Sequence, residues 1–327
     1  VIRFGTVGTS WITDEFLKSA MLNEEFKLNA VYSRTEKKAH KFAKKYNVEN
    51  IYTDIEEMAK SGDIDAVYIA SPNSYHAQYS ILFLENKKHV FCEKPIASNL
   101  NELEAMIKSA EKNNRLLMEG MVSSFLPNFN VIKENLHKIG KVRRYVGNYC
   151  QYSSRYDPYK KGENPNTFNP KFSNGSLMDI GVYCIYPLIQ LFGKPEKINA
   201  NGVLLESGVD GEGNVVLNYE DMEALIIHSK ITDSYVPSEI QGENGTMIID
   251  KIPTPKNIKI IYRDGREEDL SVEQDKPNMY YEAREFINLI KEGKNQSDIN
   301  SFKKSRIVMN VLEESRKQMG VIYPADK

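Results

Sequence analysis

The stretch Val1-Ile2-Arg3-Phe4-Gly5-Thr6-Val7-Gly8-Thr9-Ser10-Trp11-Ile12-Thr13 runs from a weakly alternating apolar segment, through a glycine turn, into a helical pattern. Ile12, Phe16, Leu17 and Ala20 share one face of that helix. Strand, glycine turn and helix in this order are the setting of a dinucleotide fingerprint. There the helix N-terminus offers free N–H groups and positive partial charge to a pyrophosphate. Against the pattern G-x-G-x-x-G, Gly8 holds the first position, Ser10 replaces the second glycine and Thr13 the third. Ser10 brings a Cβ to where phosphate approaches the backbone, and also a hydroxyl able to donate to a phosphate oxygen. Taken alone, the same residues make a plain β-turn, so the flanking chain has to decide. Gly8, Thr9, Ser10, Trp11 and Ile12 are the candidate phosphate contacts.

Outward from this turn, residues 28–32 read as a second strand ending in Ser33-Arg34. Many dinucleotide folds place an acid here to accept from the ribose 2′-hydroxyl. A hydroxyl and a guanidinium suit a 2′-phosphate instead, which favours NADP, with NAD as the alternative. Residues 35–46 have helical spacing, and 66–70 form a continuous apolar run of the kind central parallel strands need. That run ends in Ser71-Pro72-Asn73-Ser74-Tyr75-His76. Ser74 is placed to cap the next helix, and Ser71, Asn73 and His76 are expected over the sheet's carboxyl edge, near a nicotinamide. Val90-Phe91-Cys92-Glu93-Lys94-Pro95 is a buried strand stopped by proline. It delivers Glu93 and Lys94 to the strand end where open α/β sheets bind ligands. The Lys94–Pro95 bond has access to the cis form. A helix over 99–113 and a strand over 115–119 complete an alternation that predicts a doubly wound parallel sheet.

Beyond residue 119 strands dominate. Residues 142–152, 198–205, 214–217, 223–231, 238–241, 246–249 and 258–262 predict a largely antiparallel sheet with one open face. The expected organisation is a dinucleotide-binding domain over 1–119 and an α+β substrate and oligomerisation domain over 120–327. Residues 153–175 read as a loop, 176–192 as a helix stopped by Gly193, and 277–291 and 300–318 as two closing helices. Asp179 and Tyr183, four apart, share a helix face. Gly181 between them calls for a packing or ligand reason, and Pro187 for a kink or break.

Composition narrows the classes. The 327 residues are 41% hydrophobic and 27% charged, with a net charge of -2 and no basic block, which argues against a nucleic-acid partner. No membrane-spanning run and no signal segment are seen. Three scattered cysteines and five histidines without ligand spacing point to a reducing, cytoplasmic setting and no metal site.

The glycine turn, Ser71 to His76, Glu93-Lys94-Pro95 and Gly175-Ser176-Leu177-Met178-Asp179-Ile180-Gly181-Val182-Tyr183 occur in that order. Together they resemble the Gfo/Idh/MocA oxidoreductases over nearly the whole chain, including the tail at Tyr280-Tyr281-Glu282-Ala283-Arg284-Glu285-Phe286. The resemblance implies an NAD(P)-dependent dehydrogenase acting on a sugar or cyclic polyol. Lys94 would lie beside the nicotinamide and the substrate hydroxyl, Tyr183 would be the acid/base, and Asp179 would orient Lys94 or a substrate hydroxyl. Tyrosine at 183 tilts this toward an aldose or related cyclic polyol. Ser123-Ser124-Phe125-Leu126-Pro127 lacks the arginine common in that group, and the usual Trp-Arg pair before the second motif is absent. The resemblance further implies a homodimer or homotetramer through the open sheet face. A dinucleotide-holding regulator without redox activity is the alternative, and the retained Lys94, Asp179 and Tyr183 argue for chemistry.

Overall fold

A computed structural model describes residues 1–327. They form two compact units, Val1–Gly120 with Lys276–Ser305, and Met121–Asp275 with Arg306–Lys327. In the first, β1 (Ile2–Val7), α1 (Trp11–Ala20), β2 (Phe26–Tyr32), α2 (Glu36–Tyr46), β3 (Asn50–Tyr52), α3 (Ile55–Lys60), β4 (Ala66–Ile69), α4 (His76–Glu85), β5 (His89–Glu93), α5 (Leu100–Asn113) and β6 (Leu117–Gly120) alternate. The strands are all parallel, in the order β3-β2-β1-β4-β5-β6. The expected doubly wound sheet is present, and strand order reverses beside β1, where such folds bind ligands. The helices are stopped by local chemistry. Asp54 caps α3 by accepting from Glu56 and Glu57 N–H groups, and Asn99 caps α5 by accepting from Glu102 N–H. Asn47 and Asn114 close α2 and α5 in the left-handed region.

In the second unit, α6 (Pro127–Asn135) precedes β7 (Val142–Cys150), α7 (Tyr156–Lys160) and α8 (Val182–Phe192). Seven strands follow: β8 (Lys197–Leu204), β9 (Asp210–Asn218), β10 (Glu223–Ser229), β11 (Ser238–Gly242), β12 (Gly245–Ile249), β13 (Ile258–Tyr262) and β14 (Glu267–Asp269). They form one sheet with β7, in the order β14-β13-β12-β11-β7-β10-β9-β8. Every pair is antiparallel except β7 with β10. The sheet is therefore mixed, since β7 and β10 are far apart in sequence and pair only through the intervening topology. Helix α8 lies on one face. Tyr145 donates to Cys184 O at 2.9 Å, and a Cβ at Gly147 would come within 2.9 Å of Cys184 Cβ. Glycine at 147 is what lets the helix come this close. Residues 153–175 are less irregular than expected, for they contain α7.

Pro187 sits inside α8 without breaking it, and a π turn over Leu177–Gly181 comes just before that helix. In addition, Pro170–Phe192 is a helical stretch long and apolar enough to cross a membrane, where none was expected. Most of that stretch is buried in the protein core, as the core helix of a folded domain would be.

The chain then continues into α9 (Asn278–Lys291) and α10 (Phe302–Met319). Residues 276–305 group with the first unit, so the chain returns to it after the strands of the second. Phe286 of α9 stacks on Phe91 with ring centroids 5.1 Å apart and meets Phe4 at 5.8 Å. Leu117 N–H donates to Asn295 O at 3.1 Å, and Asn300 Nδ2 to Glu119 O at 3.1 Å. The aromatic core made by Phe4, Phe16, Tyr68 and Phe91 is completed by a residue nearly two hundred positions away.

Candidate functional site

The first unit carries the dinucleotide half. Gly8 has φ +116, and a Cβ there would lie 2.7 Å from Ala70 O. Only glycine permits this turn, which brings the ends of β1 and β4 together. Ser10 is the N-cap residue of α1, but its hydroxyl makes no cap bond, so it is available to a ligand. Thr9 and Ile12 are half-buried and Trp11 is exposed. Beneath the turn, the buried Thr13 Oγ1 has no hydrogen-bond partner. At the end of β2, Ser33 is buried and Arg34 exposed, with no acid beside them. A glycine cradle, a helix N-terminus with its hydroxyl unspent and a free guanidinium together fit a dinucleotide carrying a 2′-phosphate.

The strand ends beyond this turn are built around Lys94. The Lys94–Pro95 bond is cis. Glu93 is buried, accepts from Tyr68 O–H and receives the Lys94 N–H at 3.3 Å. On the far side, Ile96 N–H donates to Glu119 Oε1 at 3.1 Å, while Ser305 Oγ donates to Glu119 Oε2 at 3.0 Å. Burial pushes the Glu93 carboxyl up. Glu282 of α9 is pushed up further, first by burial and then by the nearby Glu93 charge; neither of its oxygens has a hydrogen-bond partner. Asn73 is buried in a 3-10 turn over Asn73–Tyr75, and Ser71 is half-buried before it. That extra turn means Tyr75, not Ser74, sits at the N-cap of α4.

His76, at the start of α4, is buried, with Nδ1 2.9 Å from Pro95 O and Nε2 2.9 Å from Ser71 O. Burial, and secondarily the Lys94 charge, hold its pKa below the usual value. The ring ties the Pro95 segment to the end of β4 and so braces the stretch that carries Lys94.

The second unit carries Asp179 and Tyr183. The π turn is anchored at its start by a buried polar cluster. Asp210 Oδ2 accepts from Leu177 N–H at 2.6 Å, and His228 Nδ1 lies 2.9 Å from Ser176 Oγ. A Cβ at Gly181 would meet the His228 ring at 3.3 Å and Leu177 at 2.9 Å, which is the packing reason expected for this glycine. Within the π turn itself, Asp179 Oδ2 accepts from Lys230 Nζ. Tyr183 meets Tyr149 edge to face, at 5.9 Å. Lys230 was not singled out from sequence, because a lysine at the end of an alternating strand reads as solvated. The approach of β10 to the π turn is a tertiary event with no local signal.

Burial pushes Asp210 up to about 7 and His228 down to about 3. A carboxyl whose pKa is higher folded than unfolded contributes stability that is complete below about pH 4 and lost as pH rises through about 7. Asp210→Asn keeps an acceptor for Leu177 N–H and removes this titration. Between pH 4 and 8 the wild type is therefore expected to lose on the order of a few kcal/mol relative to the variant. Paired urea melts at the two pH values check this; parallel pH profiles would contradict it.

Comparison with known proteins agrees with this architecture. Residues 2–121 match the family model described as oxidoreductase family, NAD-binding Rossmann fold, and residues 135–248 match the GFO/IDH/MocA C-terminal domain. The chain is 54% identical over 327 residues to scyllo-inositol 2-dehydrogenase (NADP(+)) IolU of Bacillus subtilis, covering 100% of both chains. It is 29% identical over 343 residues to trans-1,2-dihydrobenzene-1,2-diol dehydrogenase of Mus musculus, covering 100% of this chain and 99% of that one. The solved 3-ketoreductase KijD10 of Actinomadura kijaniata, in complex with TDP-benzene and NADP, shares the fold: its TM-score is 0.84 at 20% identity, over 98% of this chain and 99% of that chain.

Proposed function

The chain belongs to the Gfo/Idh/MocA family of NAD-binding oxidoreductases, and from that premise we propose that it is an NADP-dependent dehydrogenase of a cyclic polyol. The observation that carries this is the end-to-end similarity to an NADP-dependent inositol dehydrogenase. Ser33 and Arg34, where an NAD enzyme would hold an acid, support the choice of NADP. The aldose suggested by Tyr183 gives way to a carbocyclic polyol, in keeping with the missing arginine before Pro127.

When bound, the nicotinamide supplies the hydride acceptor. The protein's own part is to hold the carbinol, take its proton and stabilise the charge that develops on oxygen. Gly8, Thr9, Ser10, Trp11, Ile12, Ser33, Arg34, Ser71, Asn73 and Glu93 form or support the cofactor half. Lys94 hydrogen-bonds the substrate oxygen and opposes its growing negative charge. Tyr183 receives the hydroxyl proton, and Asp179 binds a neighbouring hydroxyl. The reaction balances as carbinol plus oxidised cofactor giving ketone, reduced cofactor and one proton.

A second copy of the chain is our reading of the open sheet face. There Val216, Leu225 and Val146 form a half-buried apolar row across β9, β10 and β7. The free thiols Cys92, Cys150 and Cys184 suit a reducing, cytoplasmic setting. The deciding experiment follows absorbance at 340 nm with scyllo-inositol, other inositols and aldoses, using NADP⁺ and NAD⁺ in turn. Turnover of an inositol is expected, with kcat/KM at least about tenfold higher for NADP⁺, as one bidentate phosphate contact supplies. Tight cofactor binding without turnover of any polyol would overturn the proposal. Sedimentation of the same preparation is expected at twice or four times the chain mass.

A further inference from the structure

We propose that Lys230 is a substrate-binding residue which, with Asp179, selects substrates bearing a second hydroxyl beside the carbinol that reacts. This rests on the polyol dehydrogenase reading above. Lys230 follows directly on β10, held by its own N–H to Gly211 O at 2.9 Å. Its side chain is 11% exposed and that of Asp179 30%, so the lysine is the more buried member of the pair and the carboxylate the more open one. Nζ donates to Asp179 Oδ2 and makes no other hydrogen bond with the protein, which leaves two of its three N–H groups unspent.

An ion pair whose carboxylate is 30% exposed adds little net stability, because screening by water and partial desolvation offset its attraction. The turn that carries Asp179 is already held by Asp210 and His228, so anchoring it does not require Lys230. What the lysine adds is chemical. A carboxylate only accepts and an ammonium only donates. Two neighbouring hydroxyls satisfy both at once, one donating to Asp179 and the other accepting from Lys230. A substrate with a single hydroxyl leaves one of the two paired groups without a hydroxyl to bind, a mismatch of the kind that discriminates between substrates.

The test uses the intact enzyme with NADP⁺ and scyllo-inositol, and takes trans-1,2-cyclohexanediol and cyclohexanol as competitive inhibitors. Lys230→Met keeps the side-chain length and removes the donor, while Lys230→Arg restores one. In Lys230→Met, KM for scyllo-inositol and Ki for the diol are expected to rise about 10- to 100-fold, the range for losing a charged hydrogen bond. Ki for cyclohexanol should stay within about threefold, and Lys230→Arg should recover part of the diol affinity. If the diol and cyclohexanol weaken equally, or if kcat falls at constant KM, Lys230 only orients Asp179 and the inference fails. If Lys230→Met does not fold, Lys230→Gln and Lys230→Arg are compared by the same diol-to-cyclohexanol ratio. A wild-type enzyme that oxidises no polyol overturns the parent reading and this one with it. That outcome appears before any variant is made, so the two failures are distinguishable.

Discussion

Lys94→Ala is expected to lower kcat by about 10³-fold or more, because in the proposed mechanism it removes both a positive charge and the donor assigned to the oxygen that gains charge. The backbone around the residue should survive the change. Glu93 holds the Lys94 N–H, Glu119 holds Ile96 N–H, and His76 braces the Pro95 carbonyl. None of these contacts uses the lysine side chain. Affinity for NADP, followed by quenching of protein fluorescence, should therefore fall by less than about tenfold, since the phosphate contacts lie on other strands. A large loss of kcat with cofactor binding retained separates a chemical role from a structural one. Equal losses of both would mean that Lys94 is part of the cofactor cradle alone.

Tyr183→Phe is expected to lower kcat by about 10²- to 10⁴-fold, the range for removing one general acid or base. The substitution is conservative in space. The aromatic ring and its edge-to-face contact with Tyr149 remain, and α8 stays fixed on the sheet through Tyr145 O–H to Cys184 O. The loss should appear in kcat and in kcat/KM together, with KM nearly unchanged, because the missing interaction belongs to the transition state. A rise in KM at constant kcat would make Tyr183 a substrate contact and leave the proton without its proposed acceptor.

Much of this was legible in the sequence, and the limits have physical causes. The parallel sheet was visible because strands buried on both faces are continuous apolar runs, as at residues 66–70 and 90–92. Glycine at 8 and 181 marked two close approaches, and the structure shows what each one meets. Pairing was less visible. That β7 lies parallel to β10, or that Phe286 finishes the core around Phe91, depends on chain topology and not on local pattern. An amphipathic stripe such as that of α9 says that a face is buried, without saying against which unit. The same limit hid the orientation of His76 and the partnership of Lys230 with Asp179, both set by elements distant in sequence. The π turn over Leu177–Gly181 has no sequence signature of its own, and Pro187 drew attention one turn too late.

The central claim is that hydrogen leaves a ring carbon of a cyclic polyol directly for the cofactor. Scyllo-inositol deuterated at its ring carbons, incubated with NADP⁺ and the wild-type enzyme in ordinary water, tests it in one spectrum. Proton NMR of the reduced cofactor is predicted to show deuterium on one face of C4, one atom for each ketone formed. Reduced cofactor carrying only solvent hydrogen at C4, or ketone formed without any reduced cofactor, would contradict it.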